Sequence, residues 1–277
     1  MAVSRPLVIA HRGASEAVAE HTRGAYLRAL EQGADGFECD VRLTADDELV
    51  CLHDRTLERT GGARSGSCDG GGTGVVSTMT LAELRDVDWG AWKHGAAGPG
   101  RDIDSGRLMT LRDLVELALG AGRPLRLLIE TKHPTRAGGR VEQEVSALLA
   151  AYGMTGPAPS TLGSGQVTAQ VMSFSALAIR RMSLHLPELP LAYLMTKPIP
   201  PPYRGSALPS GARAAALDIT LVRDRPELVA AHHDAGHEVY VWTVDDDDDV
   251  ARCLDAGVEA IITNRPGHVL DLVGARG

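Results

Sequence analysis

The chain has 277 residues, 44% of them hydrophobic, which is enough to bury one large α/β core or two smaller ones. A formal net charge of -8 excludes a nucleic-acid surface built on clustered Lys and Arg, although a local site for a small anion can still be positive. No apolar run approaches the ~20 residues that cross a bilayer, and the stretch before His11 is too short for a secretory signal, so a cytoplasmic protein with no stable membrane association is expected.

The first predicted strand, 7–11, reads "LVIAH", and its apolar residues run straight into His11, Arg12 and Gly13. Polar side chains at the mouth of a buried strand point into a site or a cleft. A helix is expected over 22–33, closed by the glycine of "EQGAD". Strands at 36–43 and 48–53 are separated only by "ADD", too few residues for a parallel crossover, so the pair reads as an antiparallel hairpin. Folding about Asp46 returns His53 toward Glu38 and Asp40. After Asp54 the texture changes to a Gly- and Ser-rich stretch, read as an insertion at about 55–107, part loop and part small subdomain near a barrel mouth.

Helices are then expected at 110–121, 140–151, 175–185, 225–235 and 246–256, set among strands at 125–131, 167–173, 190–195, 215–219, 238–243 and 259–263. A second irregular stretch, "KPIPPPYRGSALPSG", holds a stiff Pro run at 200–202. No internal repeat is evident, and nothing specifies an oligomeric state. The alternation predicts an α/β protein: a (β/α)8 TIM-type barrel with an extra hairpin strand and a small insertion over its mouth, as one domain spanning 1–277. Of the four cysteines, Cys39, Cys51 and Cys253 sit in apolar runs, and with Cys68 they show no disulfide or CxxC pattern, so all read as reduced.

Strand alternation sorts "FECDV" into Phe37, Cys39 and Val41 on one face and Glu38 and Asp40 on the other. The segment "LRLLIETK" likewise puts Glu130 and Lys132 opposite Ile129 and Thr131. Three carboxylates at strand ends, without Cys or His at zinc spacing, suit a hard divalent cation, Mg2+ or Ca2+. The alternative is that they pair with Arg12, Arg42 or Lys132 in a polar barrel interior. His11 and His53 at equivalent depth would supply the acid and base of phosphoryl transfer, with cations for the non-bridging oxygens. The other histidines read as structural: His232 and His233 late in a helix, His94, His185, His237 and His268 in or beside turns, and His133 next to Pro134.

Taken in order, "AHRGASEAVAEHT", "GADGFECDVRLTADDELVCLHDRTLERT", "LIETK", "VMSFS" and "VYVWTVDDDDDVARCLDAGVEAIITNRPG" resemble the glycerophosphodiester phosphodiesterase family, from about Ile9 to Pro266. The resemblance implies that His11 and His53 act as general acid and base, that Glu38, Asp40 and Glu130 ligate the divalent ion, and that Arg12 and Lys132 hold phosphate. It also implies that Trp242 lines a glycerol pocket, that the insertion caps the site, and that products are sn-glycerol 3-phosphate and an alcohol. Which histidine is the acid, and whether water or a neighbouring substrate hydroxyl attacks, stay open. Rival expectations are lysophospholipase D type activity on single-chain lipids, marked by an apolar insertion, and a non-catalytic phosphate-binding protein.

Departures from the family pattern are Glu20-His21-Thr22 in place of Glu-Asn-Thr, and "TNRP" in place of "TDRP". His21 is expected to support the site and to modulate its acid-side pH dependence, or else to be a helix-start residue without influence on the site. The run Asp245 to Asp249 reads as a helix N-cap and first turn.

Overall fold

Strand β1 (Leu7–His11) lies parallel to β2 (Gly36–Leu43), with His11 opposite Glu38. These and the elements that follow belong to a computed structural model that describes residues 5–61, 74–95, 103–133, 135, 138–157 and 166–276. Cys68 and much of the Gly- and Ser-rich stretch lie outside the described residues. Strand β2 continues past the end of β1, and the short β3 (Leu49–Cys51) pairs antiparallel with that continuation, Val41 opposite Cys51 and Leu43 opposite Leu49. Thus β3 takes up the edge that β1 leaves and runs back toward the end of β1, which brings His53 to His11.

The remaining strands are β4 (Leu125–Thr131), β5 (Val167–Ser173), β6 (Leu191–Met195), β7 (Ala214–Asp218), β8 (Glu238–Trp242) and β9 (Ala260–Thr263). All pair in parallel in the order β1-β9-β8-β7-β6-β5-β4-β2, and the β1–β2 pairing closes the barrel. Their alternation makes two layers. Ile9, Leu128, Met172, Leu194, Ala216, Tyr240 and Ile262 fill the inside, whereas Phe37, Cys39, Val41 and Ile129 pack outward under the helices. Tyr26 meets Phe37 at 5.3 Å between ring centroids, and burying a side chain of that size stabilises the fold by about 1.5–3 kcal/mol. Cys39, Cys51 and Cys253 are free and buried, as expected.

The helices are α1 (Arg23–Glu31), α2 (Leu81–Arg85), α3 (Ala91–His94), α4 (Leu111–Leu119), α5 (Arg140–Ala151), α6 (Ala176–His185), α7 (Ile219–Asp224), α8 (Glu227–Asp234), α9 (Asp247–Ala256) and α10 (Pro266–Arg276). Three departures from expectation are local. The predicted strand at 215–219 stops at Asp218, whose carboxylate accepts from the Thr220 N–H and starts α7 with no loop between. The helix predicted at 225–235 is α8 alone, divided from α7 at Pro226. His268, expected in a turn, belongs to α10, where its Nε2 meets Asp247 Oδ1 at 2.7 Å. From β3 to α4, Val50, Leu52, Leu57, Val76, Leu84, Trp89 and Leu108 bury a small separate core, and α2 and α3 lie in this stretch. No helix among the described residues is long and apolar enough to cross a membrane.

Candidate active site

Inward-facing residues at the C-terminal ends of the strands carry the charge. His11, Arg12, Glu38, His53, Glu130, Lys132 and Trp242 line one cavity of about 140 Å³, together with Met172, Phe174, Leu194 and Ile262. Glu38, Asp40 and Glu130 each offer a carboxylate oxygen, and these atoms all lie within 4.8 Å of one another. All three residues are buried. Asp40 stands opposite Glu130 in the β2–β4 register, which is why alternation converges them.

Two cations compensate this cluster. Lys132 Nζ lies 3.0 Å from Asp40 Oδ1 and 2.8 Å from Glu130 Oε1. Arg12 Nε lies 2.9 Å from Asp40 Oδ2, and its Nη1 donates to Glu20 Oε1 at 3.0 Å. Burial alone would favour the neutral acid at Asp40, but Arg12, Lys132 and His21 hold it well below the usual carboxylate range. Burial and the negative charge of Asp40 prevail at the other two: Glu38 is pushed well up, and Glu130 up to about 8.

The two imidazoles are held differently. His11 Nδ1 donates to Asn264 Oδ1 at 2.8 Å, and its Nε2 lies 4.0 Å from Glu38 Oε2. Burial and the neighbouring Arg12 push His11 down to about 3. His53 Nδ1 instead donates to the carboxylate of Asp54 at 2.7 Å. Burial again lowers its proton affinity, as do Arg12 and Lys132, while Asp40 and Asp54 oppose them.

Trp242 is fixed by its Nε1–H, which donates to the Ala216 carbonyl at 3.0 Å, and by an edge contact with Phe174 at 5.6 Å between centroids.

Sequence reasoning missed several supporting groups. Asn264 accepts from His11 and Ser15, and donates through Nδ2 to Asp245 Oδ2 at 2.6 Å. Asp245 also accepts from the backbone N–H of Asn264 and from Thr263 Oγ1. The acidic run therefore does not act wholly as helix cap and first turn. Asp246 holds the cap position without a side-chain cap bond, Asp249 is buried against Arg223 and Arg252, and Asp245 serves the end of β9 because more donors converge on it there. An Asp at 264 would face Asp245 with like charge, so the Asn of "TNRP" suits its partner.

A further group is an ionic clasp. Arg59 forks onto Glu20 at 2.7 and 2.8 Å and donates to Asp54 at 2.6 Å. Burial opposes ionisation of Glu20, but its bond to Arg59 and the charge of Arg12 bring it down to about 2.

His21 is buried beside these groups, with Nε2 donating to Asp40 Oδ2 at 2.9 Å. Its Nδ1 then accepts from the Tyr26 hydroxyl, also at 2.9 Å. His21 thus contacts the carboxylate cluster directly and does more than precede the first helix.

The profile of the glycerophosphoryl diester phosphodiesterase family matches residues 11–268. The chain belongs to this family. It is 43% identical over 265 residues to the "Probable glycerophosphodiester phosphodiesterase 1" of Mycobacterium tuberculosis, covering 95% of this chain and 90% of that one. The crystal structure of a glycerophosphodiester phosphodiesterase from Agrobacterium tumefaciens superposes with a TM-score of 0.71 at 26% identity, covering 98% of this chain and 99% of the other. A phosphodiesterase from Oleispira antarctica, solved in complex with the product sn-glycerol-3-phosphate, shares the fold with a TM-score of 0.74 at 22% identity, covering 98% of this chain and 97% of the other. Family membership over nearly the whole length makes the chain a phosphoric diester hydrolase with a TIM barrel.

Proposed function

We propose that the chain hydrolyses glycerophosphodiesters to sn-glycerol 3-phosphate and an alcohol, in a reaction that needs a divalent cation held by Glu38, Asp40 and Glu130. The observation that carries this is the convergence of Glu38 and Glu130 with two histidines on one small cavity, with the Asp40 carboxylate within 4.8 Å of both. The donor set fits a cation: it is all oxygen, which suits Mg2+ or Ca2+, and Arg12 and Lys132 alone leave Glu38 and Glu130 tending to take up protons. When bound, the cation supplies Lewis-acid polarisation of a phosphoryl oxygen.

The protein's own groups do the rest. Arg12 and Lys132 offset charge on the phosphate, and Trp242 with Phe174 offers an apolar wall to the glycerol carbons. One imidazole takes a proton from the attacking oxygen, and the other gives one to the departing alkoxide. Their unequal Nδ1 partners, a neutral amide for His11 and a carboxylate for His53, set different proton affinities, as a pair dividing acid and base roles requires. The expected setting is cytoplasmic.

The test is turnover of glycerophosphocholine by chelated and by metal-restored protein, together with His11→Ala and His53→Ala. Chelation should abolish activity, and Mg2+ or Ca2+ should restore it. Each histidine variant should lose about 10²- to 10⁴-fold in kcat. Full activity in EDTA would overturn the metal assignment, and wild-type kcat in either variant would overturn that residue's role.

A further inference from the structure

We propose that the alcohol half of the substrate lies in a cationic groove beside the cavity, and that this groove selects diesters whose alcohol carries a negative charge of its own. The inference rests on the phosphodiesterase reading above. The cavity of about 140 Å³ is smaller than the roughly 300–1,000 Å³ of pockets that bury a whole ligand of moderate size. One wall is apolar, made by Met172, Phe174, Leu194, Trp242 and Ile262. A head group attached to phosphate held between Arg12 and Lys132 therefore has its polar way out on the opposite side. There, Lys132 also lines a second groove of about 410 Å³.

The charge of that groove follows from strand alternation. Glu38, Asp40 and Arg42 share one face of β2, so Arg42 stands one step beyond the carboxylates toward the rim. Its Nε and Nη2 both donate to the His53 carbonyl, at 2.9 and 2.6 Å, which fixes the guanidinium and leaves its other N–H groups outside that contact. Arg55 lines the same groove, is exposed, and has no side-chain partner among the described residues. The acidic residue in the lining, Asp47, is paired with Arg140 at 3.1 Å, and Lys132 is committed to Asp40 and Glu130. Among the described lining residues, Arg42 and Arg55 are thus the cations held in no ion pair, although Arg42 feels the charge of Asp40, Asp54 and Glu130, and the hydroxyl residues Thr44, Ser77 and Thr135 accompany them. A quaternary ammonium head group meets like charge there, whereas a second phosphate or a carboxylate meets opposite charge.

The test compares kcat/KM for glycerophosphocholine, glycerophosphoglycerol and bis(glycerophospho)glycerol, in wild type and in Arg55→Glu, at low and high salt, with circular dichroism checking that the variant is folded. Bis(glycerophospho)glycerol should exceed glycerophosphoglycerol by more than the factor its two equivalent ends supply, and glycerophosphocholine should be the poorest. Arg55→Glu should shrink the anionic-to-cationic ratio by about three- to tenfold, and added salt should shrink it in the wild type. A wild-type preference for glycerophosphocholine, or a ratio unmoved by Arg55→Glu, overturns the groove and leaves the phosphodiesterase reading standing. No turnover of any of the three with Mg2+ or Ca2+ present overturns that reading itself.

Discussion

His21 shows what a single position can and cannot disclose. Its φ of 59° lies in the left-handed region, where among non-glycine residues Asn, Asp and His are enriched. That accounts for an Asn or a His at this position better than any helix-start role does. The motif puts His21 next to Glu20, but only the backbone turn aims the ring at Asp40, and a turn of that kind leaves no periodic trace in sequence. The acid-side pH effect expected from sequence has a physical obstacle: burial and the charge of Arg12 hold His21 below its ordinary range, although Asp40 pulls the other way. The acid limb of kcat/KM in His21→Asn should therefore superimpose on that of the wild type, and turnover should stay within about tenfold. His21→Leu is a different case, because it strands Asp40 Oδ2 and the Tyr26 hydroxyl and forces a branched residue into the left-handed region. It should cost about 1–3 kcal/mol in stability and about 10- to 100-fold in metal affinity. Melting curves and metal titrations check both, and an unaltered metal affinity in His21→Leu would show that the contact with Asp40 positions nothing.

At the scale of elements, the strands were legible as apolar runs, several of them ended by a charged residue or a glycine as at Gly36 and Asp218, and the hairpin was legible because three residues cannot make a parallel crossover. The helices missed were short or began on residues that read as a turn. Helix α7 is a short continuation of β7, and α10 begins at Pro266-Gly267, a pair that reads as a turn although Pro is well suited to a first helical turn. One readable signal was overlooked: Thr80 and Glu83 form a capping box at the start of α2.

The functional consequence of the hairpin is the clasp by Arg59, which joins the loop after β3 to the loop after β1. It links Asp54, which orients His53, to Glu20, which holds Arg12. Arg59→Lys cannot fork onto Glu20 while reaching Asp54, so it should lower kcat/KM by about tenfold, and Arg59→Ala by more. In Arg59→Ala the Asp54 carboxylate is left to His53 alone, so the limb of the pH profile belonging to His53 should move to higher pH. A profile that does not move, with activity retained, would reduce the clasp to a surface ion pair.

Over the whole molecule, the barrel collects buried groups whose protonation pulls stability in opposite directions. Burial lowers His232 to about 4 and His11 to about 3, against about 6.5 in an unfolded chain. Their contribution is complete above about pH 6.5 and is lost as pH falls through the folded values. Glu130, raised to about 8, and Glu38, raised well above its ordinary value, behave in the reverse sense: their contribution is complete below about 4.3 and is lost as pH rises. The two sets oppose each other between these limits, but above about pH 6.5 the histidine contributions are constant and only the carboxyl ones change. The metal-free protein should therefore lose about 2 kcal/mol between pH 6.5 and 8, or roughly 4–8 °C in melting temperature. A divalent cation keeps the carboxylates ionised throughout, so the slope should vanish on loading, and a hundredfold excess over Kd should add about 2.7 kcal/mol. Glu130→Gln should flatten the EDTA curve and blunt the response to metal. Thermal melts at pH 6.5 and 8, with EDTA and with Mg2+ or Ca2+, separate the outcomes. A flat EDTA curve with no response to either cation would make Glu38, Asp40 and Glu130 ion-pair partners of Arg12 and Lys132 and nothing more.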